Sequence, residues 1–150
     1  MSDVNHLGWD FPAPFTLDIT VQPGDIDALQ HVNNVTYLGW LEAVSWAHSK
    51  SLDLDWDTYE RLGVACVVRR HELDYLAPTH LGDELVAATW VSRNDGRLSL
   101  WRRFQIIRPA DRVTVLRGHS HFVSVRLDNG RPCRMPKEFS QGYRVMIEET

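Results

Sequence analysis

The stretch Asp25-Ile-Asp-Ala-Leu-Gln-His-Val-Asn-Asn34, continuing as Val35-Thr-Tyr-Leu-Gly-Trp-Leu-Glu42, sets two carboxylates, a histidine and two asparagines directly before the most apolar helical run of the chain. Asn33 or Asn34 is a natural N-cap, because an Asn side-chain oxygen accepts readily from a backbone N–H of the first turn. A helix that starts there presents unpaired N–H groups and about half a positive charge, which suits a developing oxyanion. A carboxylate one short loop upstream can attack a carbonyl polarised in this way, or activate a water to do so. The stretch therefore predicts a helix with polar chemistry at its N-terminus.

That helix is expected to run to about Lys50. Tyr37, Trp40, Leu41, Val44, Ala47 and His48 share one face, while Val35, Leu38 and Trp46 lie off it. A helix apolar most of the way round is expected to be enclosed, here by a sheet curling about it. Glu42 on such a helix calls for a partner, since an unpaired buried charge is costly. Upstream, Phe15, Leu17, Ile19 and Val21 alternate with Thr16, Asp18, Thr20 and Gln22, which predicts a half-buried strand ended by Pro23-Gly24. Residues 1–14 carry Trp9, Phe11, Pro12 and Pro14 without periodicity, an arm lying over the surface or onto a neighbouring subunit. Downstream, a loop over 53–63 holds a short helix near 58–62. Four long segments of alternating character follow at 64–77, 84–93, 98–108 and 113–127, separated by turn-forming residues. Several are joined too tightly for parallel crossovers, so the sheet is mainly antiparallel, and a last short helix is expected within 136–147. One long helix against such a sheet is an α+β architecture.

A chain of 150 residues suits one domain with a proper core, so residues 1–150 are expected to form a single unit with 1–14 as its arm. The hydrophobic share of 43% and charged share of 24% are ordinary for a globular protein. A net charge of −4 provides no basic stripe for nucleic acid. No apolar run approaches the roughly 18 residues of a membrane span. Residues 1–15 lack the basic, apolar, small-residue order of a signal peptide, so cytoplasmic residence is expected. Cys66 and Cys133 are then expected to be free thiols packed as small apolar groups.

The run Asp27-Ala-Leu-Gln-His31-Val-Asn33-Asn34-Val-Thr-Tyr37, with Glu42 beyond it, resembles the signature of hotdog-fold thioesterases and is similar to the 4-hydroxybenzoyl-CoA thioesterase group. It is also similar to plant acyl-ACP thioesterases, whose pattern has Asp, Asn two residues on and His two further, before Val-Asn-Asn and a Tyr. Asp27, His31, Asn33, Asn34 and Tyr37 match, whereas Leu29 stands where that pattern has Asn, so an Asn/His pair does not carry over. Glu72-Leu-Asp-Tyr-Leu-Ala-Pro78 and Gly82-Asp-Glu-Leu85 extend the likeness over nearly the whole chain. The resemblance implies a hotdog fold, an antiparallel sheet wrapped around one long central helix. It implies Asp27 as the catalytic carboxylate and the Asn34 N–H as donor to the thioester oxygen. His31, Asn33, Tyr37 and Glu42 become orienting or substrate-contacting residues. An acyl-CoA substrate is implied, with an acyl carrier protein as the second choice of carrier and no cofactor or metal. Dimers or tetramers with sites at the subunit junction follow as well.

Each of these residues also has a plainer role. An Asp before a helix serves as a turn residue, a His as a loop brace, and an Asn as a cap. Asp25 suits a turn or strand end. His119-x-His121 has a metal-ligating spacing on one strand face, but no carboxylate or cysteine pattern accompanies it, and His71 and His80 lie elsewhere. Neither Cys66 nor Cys133 has a nucleophile's local signature. Arg69, Arg70, Arg102, Arg103, Arg131, Arg134 and Lys137 are expected to be solvated. A CoA substrate nevertheless needs cations for its phosphates, and Arg93 and Arg97 flank a turn resembling the family's nucleotide-contacting hairpin. The expected activity is thioester hydrolysis. A non-catalytic module that binds acyl-CoA as sensor or scaffold is the rival, and an intact Asp27 argues against it.

Overall fold

The computed structural model describes residues 4–148. Its central helix α1 spans Asn34–Ser51, and Asn33 is the cap. The Asn33 side-chain oxygen accepts from the Val35 N–H at 2.9 Å, a contact worth about 1 kcal/mol. Five strands, β1 (Phe15–Thr20), β2 (Val64–Tyr75), β3 (Glu84–Asn94), β4 (Ser99–Arg108) and β5 (Val113–Arg126), form one sheet in the order β1-β3-β4-β5-β2. Every pairing is antiparallel. This is the α+β hotdog arrangement, a long helix lying in the curl of an antiparallel sheet. Two short helices, α2 (Trp56–Leu62) and α3 (Lys137–Gly142), close the end of the core beyond Ser51 through Tyr59, Phe139 and Tyr143.

Helix and sheet meet where the sheet carries no side chain. Gly118 of β5 pairs with Leu73 and Phe104, and a Cβ on it would come within 2.8 Å of Leu73 Cδ2 and 3.5 Å of Leu41 Cδ1. The bare backbone lets Leu41 and Val44 of α1 sink onto the strands, where both are fully buried. The buried residues Tyr37, Leu41, Val44 and His48 follow the helical repeat and mark the face against the sheet.

The sheet wraps the long central helix without covering its whole circumference. Five strands curl past one side of the helix and leave the other open, so Val35 is 71% and Trp46 37% exposed. Glu42 is exposed too, so its charge does not require the buried partner that was expected. Residues 4–14 lie on the outer face of their own sheet: Leu7 packs with Val86 and Ile107, and Trp9 and Phe11 stand edge-on to Trp90. Asp10 accepts two hydrogen bonds from Arg117, and its N–H donates to the buried side chain of Gln105 at 2.9 Å. Ile147 joins the same outer cluster. Covered on both faces, β3 is buried almost throughout instead of alternating. The sheet ends in two edges, β1 and β2. On β2, Val67 and Val68 are 41% and 47% exposed. Among the described residues no helix is long and apolar enough to cross a membrane.

Candidate functional site

The chain leaves β1 and docks on the β2–β3 loop, with the Val21 N–H donating to the Asp83 carbonyl at 2.9 Å. It then forms a small hairpin closed by a bridge between Ile26 and Val32. Within it the Asp27 N–H donates to the His31 carbonyl, and the Gln30 N–H to the Asp27 carbonyl, both at 3.0 Å. Gln30 takes a left-handed conformation, φ 64°, to complete the turn. The Asp27 carboxylate accepts from the Leu29 N–H at 2.8 Å, so one of its oxygens braces the turn while it stays partly exposed. Leu29 contributes its backbone here, and its side chain is 75% exposed. Asp25 is a turn residue, accepting from the Gln22 N–H at 2.8 Å, and its carbonyl receives the Asn33 N–H at 2.9 Å. The hairpin thereby delivers the chain to the helix start. There the Asn34 N–H meets no acceptor among the described residues.

Residues some forty positions away complete this corner. Tyr75 donates to the Asn34 carbonyl at 3.1 Å, and Tyr37 shares a 2.7 Å hydrogen bond with the fully buried Thr79 hydroxyl. Burial raises the Tyr37 phenol above its ordinary pKa. The Val32 N–H donates to the Thr79 carbonyl at 3.1 Å, and His80 stands edge-on to His31 with ring centres 5.3 Å apart. Thr79 and His80 carry no local signature, and the Glu72–Pro78 likeness was the one hint that this loop belongs to the site.

Along the open side of α1 runs an apolar trench of about 450 Å³. It extends from Leu38, one turn beyond the helix start, to Ser49, with Val68 and His71 of β2 as its opposite wall and Phe104 and Phe122 among its floor residues. Of the residues singled out at the opening stretch, Glu42 alone lines it; Asp27, His31, Asn33, Asn34 and Tyr37 do not. His71 pairs through Nδ1 with the Ser120 hydroxyl at 2.6 Å. Burial lowers the His71 pKa, and the charge of Glu42 opposes that shift. Cys66 also lines the trench, and burial pushes its thiol up to about 12, so it carries no thiolate near neutral pH. At the Ser49 end lies Arg102, expected in solvent but only 2% exposed, because the alternation of β4 turns it inward between Leu100 and Phe104.

A family model described as the thioesterase-like superfamily matches residues 21–142. The chain belongs to that superfamily. It is 25% identical over 131 residues to the long-chain acyl-CoA thioesterase FadM of Escherichia coli, covering 87% of this chain and 97% of that one. Among solved structures it resembles SAV2348 of Staphylococcus aureus, determined in complex with CoA, at a TM-score of 0.82 and 18% identity, covering 95% of this chain and 92% of that one. It also resembles Slr0204 of Synechocystis, a 1,4-dihydroxy-2-naphthoyl-CoA thioesterase, at a TM-score of 0.78 and 18% identity, covering 87% and 96%.

In this thioesterase-like chain Arg93 and Arg97 are exposed and stand far from the opening stretch. They flank the β3–β4 turn, whereas the Asp27 hairpin docks beside Asp83, just before the other end of β3. The ten steps from Glu84 to Asn94 span about 33 Å of extended chain. Arg93 lies over the Trp101 ring at 4.7 Å, and the turn itself is shaped by Asp95, which accepts from the N–H groups of Arg97, Leu98 and Ser99. On the same outer surface His121 stacks on Trp101 at 4.6 Å and bonds the Ser99 hydroxyl at 2.9 Å. No group of three or more His, Cys, Asp or Glu that could hold a metal occurs among the described residues.

Proposed function

We propose that this protein hydrolyses acyl-CoA thioesters, with Asp27 as the catalytic carboxylate and the Asn34 N–H as donor to the thioester oxygen. The observation that carries the reading is one juxtaposition. A tight hairpin presents Asp27 just ahead of an unpaired helix-start N–H, and an apolar trench begins one turn further along the same helix. In the reaction a thioester carbonyl polarised by the N–H is attacked either by the carboxylate, giving an anhydride that water opens, or by a water that the carboxylate deprotonates. The carbon–sulfur bond breaks, and CoA leaves as its thiol. His31 and His80, Asn33, Tyr37 and Glu42 orient the loop or the substrate. Membership of the thioesterase-like superfamily, the name of FadM and the CoA in SAV2348 support the reading. An acyl carrier protein is the second choice of carrier.

The working unit is a homodimer or tetramer. The unpaired β2 edge with its exposed valines supports this, and so does the separation of Arg93 and Arg97 from Asp27 of the same chain. If those arginines hold the phosphates of CoA, they serve the Asp27 of another subunit. The two free cysteines suit a cytoplasmic setting. No metal or cofactor enters the scheme, and activity is expected to survive exhaustive chelation. Loss on chelation, with recovery on adding zinc, would move the chemistry to His119 and His121.

One observation favours the rival reading of a non-catalytic acyl-CoA module: the Asp27 carboxylate is already engaged with the Leu29 N–H and stands outside the trench. A panel of acyl-CoA substrates followed by thiol release separates the two. Turnover that disappears in Asp27→Asn supports hydrolysis, and tight binding without thiol release supports the module.

A further inference from the structure

Strand β4 turns Leu100, Arg102 and Phe104 toward α1, so a guanidinium sits in the middle of an apolar stripe. Arginines are almost never fully buried without a charged partner. Arg70, Arg108, Arg117 and Arg126 each reach the surface beside a carboxylate. Arg102 is the reverse: it is 2% exposed and forms no ion pair with any described residue. Its Nη1 donates to His48 Nδ1 at 2.9 Å and to the Thr89 hydroxyl at 3.3 Å, and the Tyr143 ring lies 5.6 Å from its central carbon. Every one of these partners is neutral, because burial and the guanidinium itself hold the His48 pKa down at about 4 and burial raises the Tyr143 phenol. The α1 C-terminus, whose last turn includes His48, adds a partial negative charge and no more.

This lone cation lines the closed end of the trench. Beside it, Ser49 and Tyr143 share a hydrogen bond of 2.7 Å, and Tyr59 bonds Tyr143 in turn. An apolar channel therefore ends in a guanidinium and three hydroxyls. Between Leu38 and Ser49 the helix rises about 16 Å, which sets this polar end an acyl chain's length from the mouth of the trench at Leu38. A buried charge with half of its pair missing is stabilised when a ligand brings the other half, and a planar carboxylate matches the guanidinium fork. We propose that Arg102 receives a carboxylate at the far terminus of the acyl group, so that the substrates of this trench are ω-carboxyacyl thioesters. The proposal rests on reading the trench as the acyl site. It adds the chemical class of the acyl group, and the methyl-terminated analogue is disfavoured because it leaves the guanidinium unpaired.

The test is a series of CoA thioesters of graded length, each made as a matched pair ending in methyl or carboxylate. At the length that spans the trench, wild-type kcat/KM is expected to favour the carboxylate by about tenfold or more, the scale of a charge-assisted hydrogen bond. Arg102→Met should reverse that preference, and Arg102→Lys should retain part of it. Equal rates, or a methyl preference at every length, overturn the proposal. Should neither variant fold, the wild-type comparison decides alone. If no thioester is hydrolysed, the hydrolase reading fails separately, and the proposal is decided by the affinities of S-alkyl-CoA and S-(ω-carboxyalkyl)-CoA thioethers. Tighter binding of the carboxylated member supports it, and equal or weaker binding refutes it.

Discussion

Arg102 Nη1 approaches His48 Nδ1 to 2.9 Å, which makes that ring nitrogen an acceptor and leaves the imidazole proton on Nε2. Protonating His48 would bring two cations together in a buried place, and its pKa falls from 6.5 to about 4. Between those values the unfolded chain binds a proton that the folded chain refuses. Stability is therefore fully present above pH 6.5 and declines as the pH falls toward 4, by on the order of 3 kcal/mol. Urea midpoints at pH 7 and pH 4.5 measure the decline. His48→Gln keeps an acceptor for Arg102 and removes the titration, so its midpoint should fall less; identical pH dependence in both proteins would exclude His48 as the cause.

Tyr37 and Thr79 tie the helix start to the β2–β3 loop through one buried hydrogen bond. Tyr37→Phe leaves the Thr79 hydroxyl buried without that partner and should cost about 1–3 kcal/mol in denaturant unfolding. Adding Thr79→Val removes the stranded hydroxyl and should recover much of the loss. If the double variant is weaker than the sum of the single ones, the bond is not the source of the effect.

Asp27→Asn preserves an oxygen that can accept from the Leu29 N–H, so the hairpin should survive. The turnover number is expected to fall by roughly a hundredfold or more, the range for removing a positioned acid–base group. His31→Ala removes a ring that rests on His80 and should cost distinctly less. Equal damage from both variants, with fold and binding intact, would shift the chemistry away from Asp27 alone.

Sedimentation at micromolar concentration should show a multiple of the 17.3 kDa chain and no stable monomer. If the arginine turn of one subunit serves the hairpin of another, refolding Asp27→Asn together with an Arg93→Ala/Arg97→Ala variant should restore turnover that neither shows alone. A monomer that is fully active would remove both expectations.

The elements were legible where local chemistry decides them. Asn33 ahead of an apolar run marks the start of α1, and Asp95-Gly96 marks the β3–β4 turn, because a cap and a turn are made by neighbouring residues. Alternation also placed the strands. Strand order was not legible, since β1 pairs with β3 and β2 with β5 across long separations. The two covered faces of β3 escaped notice because the arm that covers one of them has no periodicity. Arg102 shows the limit most clearly. In the pair Arg102-Arg103, alternation sends one side chain inward between Leu100 and Phe104, yet a preference for hydrated charge sends both outward. Only tertiary packing shows that the first of these tendencies prevailed. At the candidate site, Asp27 and Asn34 could be named from one run of sequence, whereas Thr79, His80 and the trench wall at Val68 and His71 come from strands and loops that only the fold brings near.

The strand order also imposes a timetable. During synthesis α1 is complete at Ser51, but Phe104, Ile106 and Leu116, which bury it, are made later, the last of them 65 residues on. At about 5–20 residues per second the ribosome takes roughly 3–13 s to supply them. Through that interval Leu41 and Val44 have no sheet to lie on, and β2 waits with neither edge paired until β5 emerges. The newborn chain is most adhesive just before its last strand arrives. Slower growth at low temperature, or a chaperone that shields apolar helices, should therefore change the yield of folded protein more than any stabilising substitution at the finished surface.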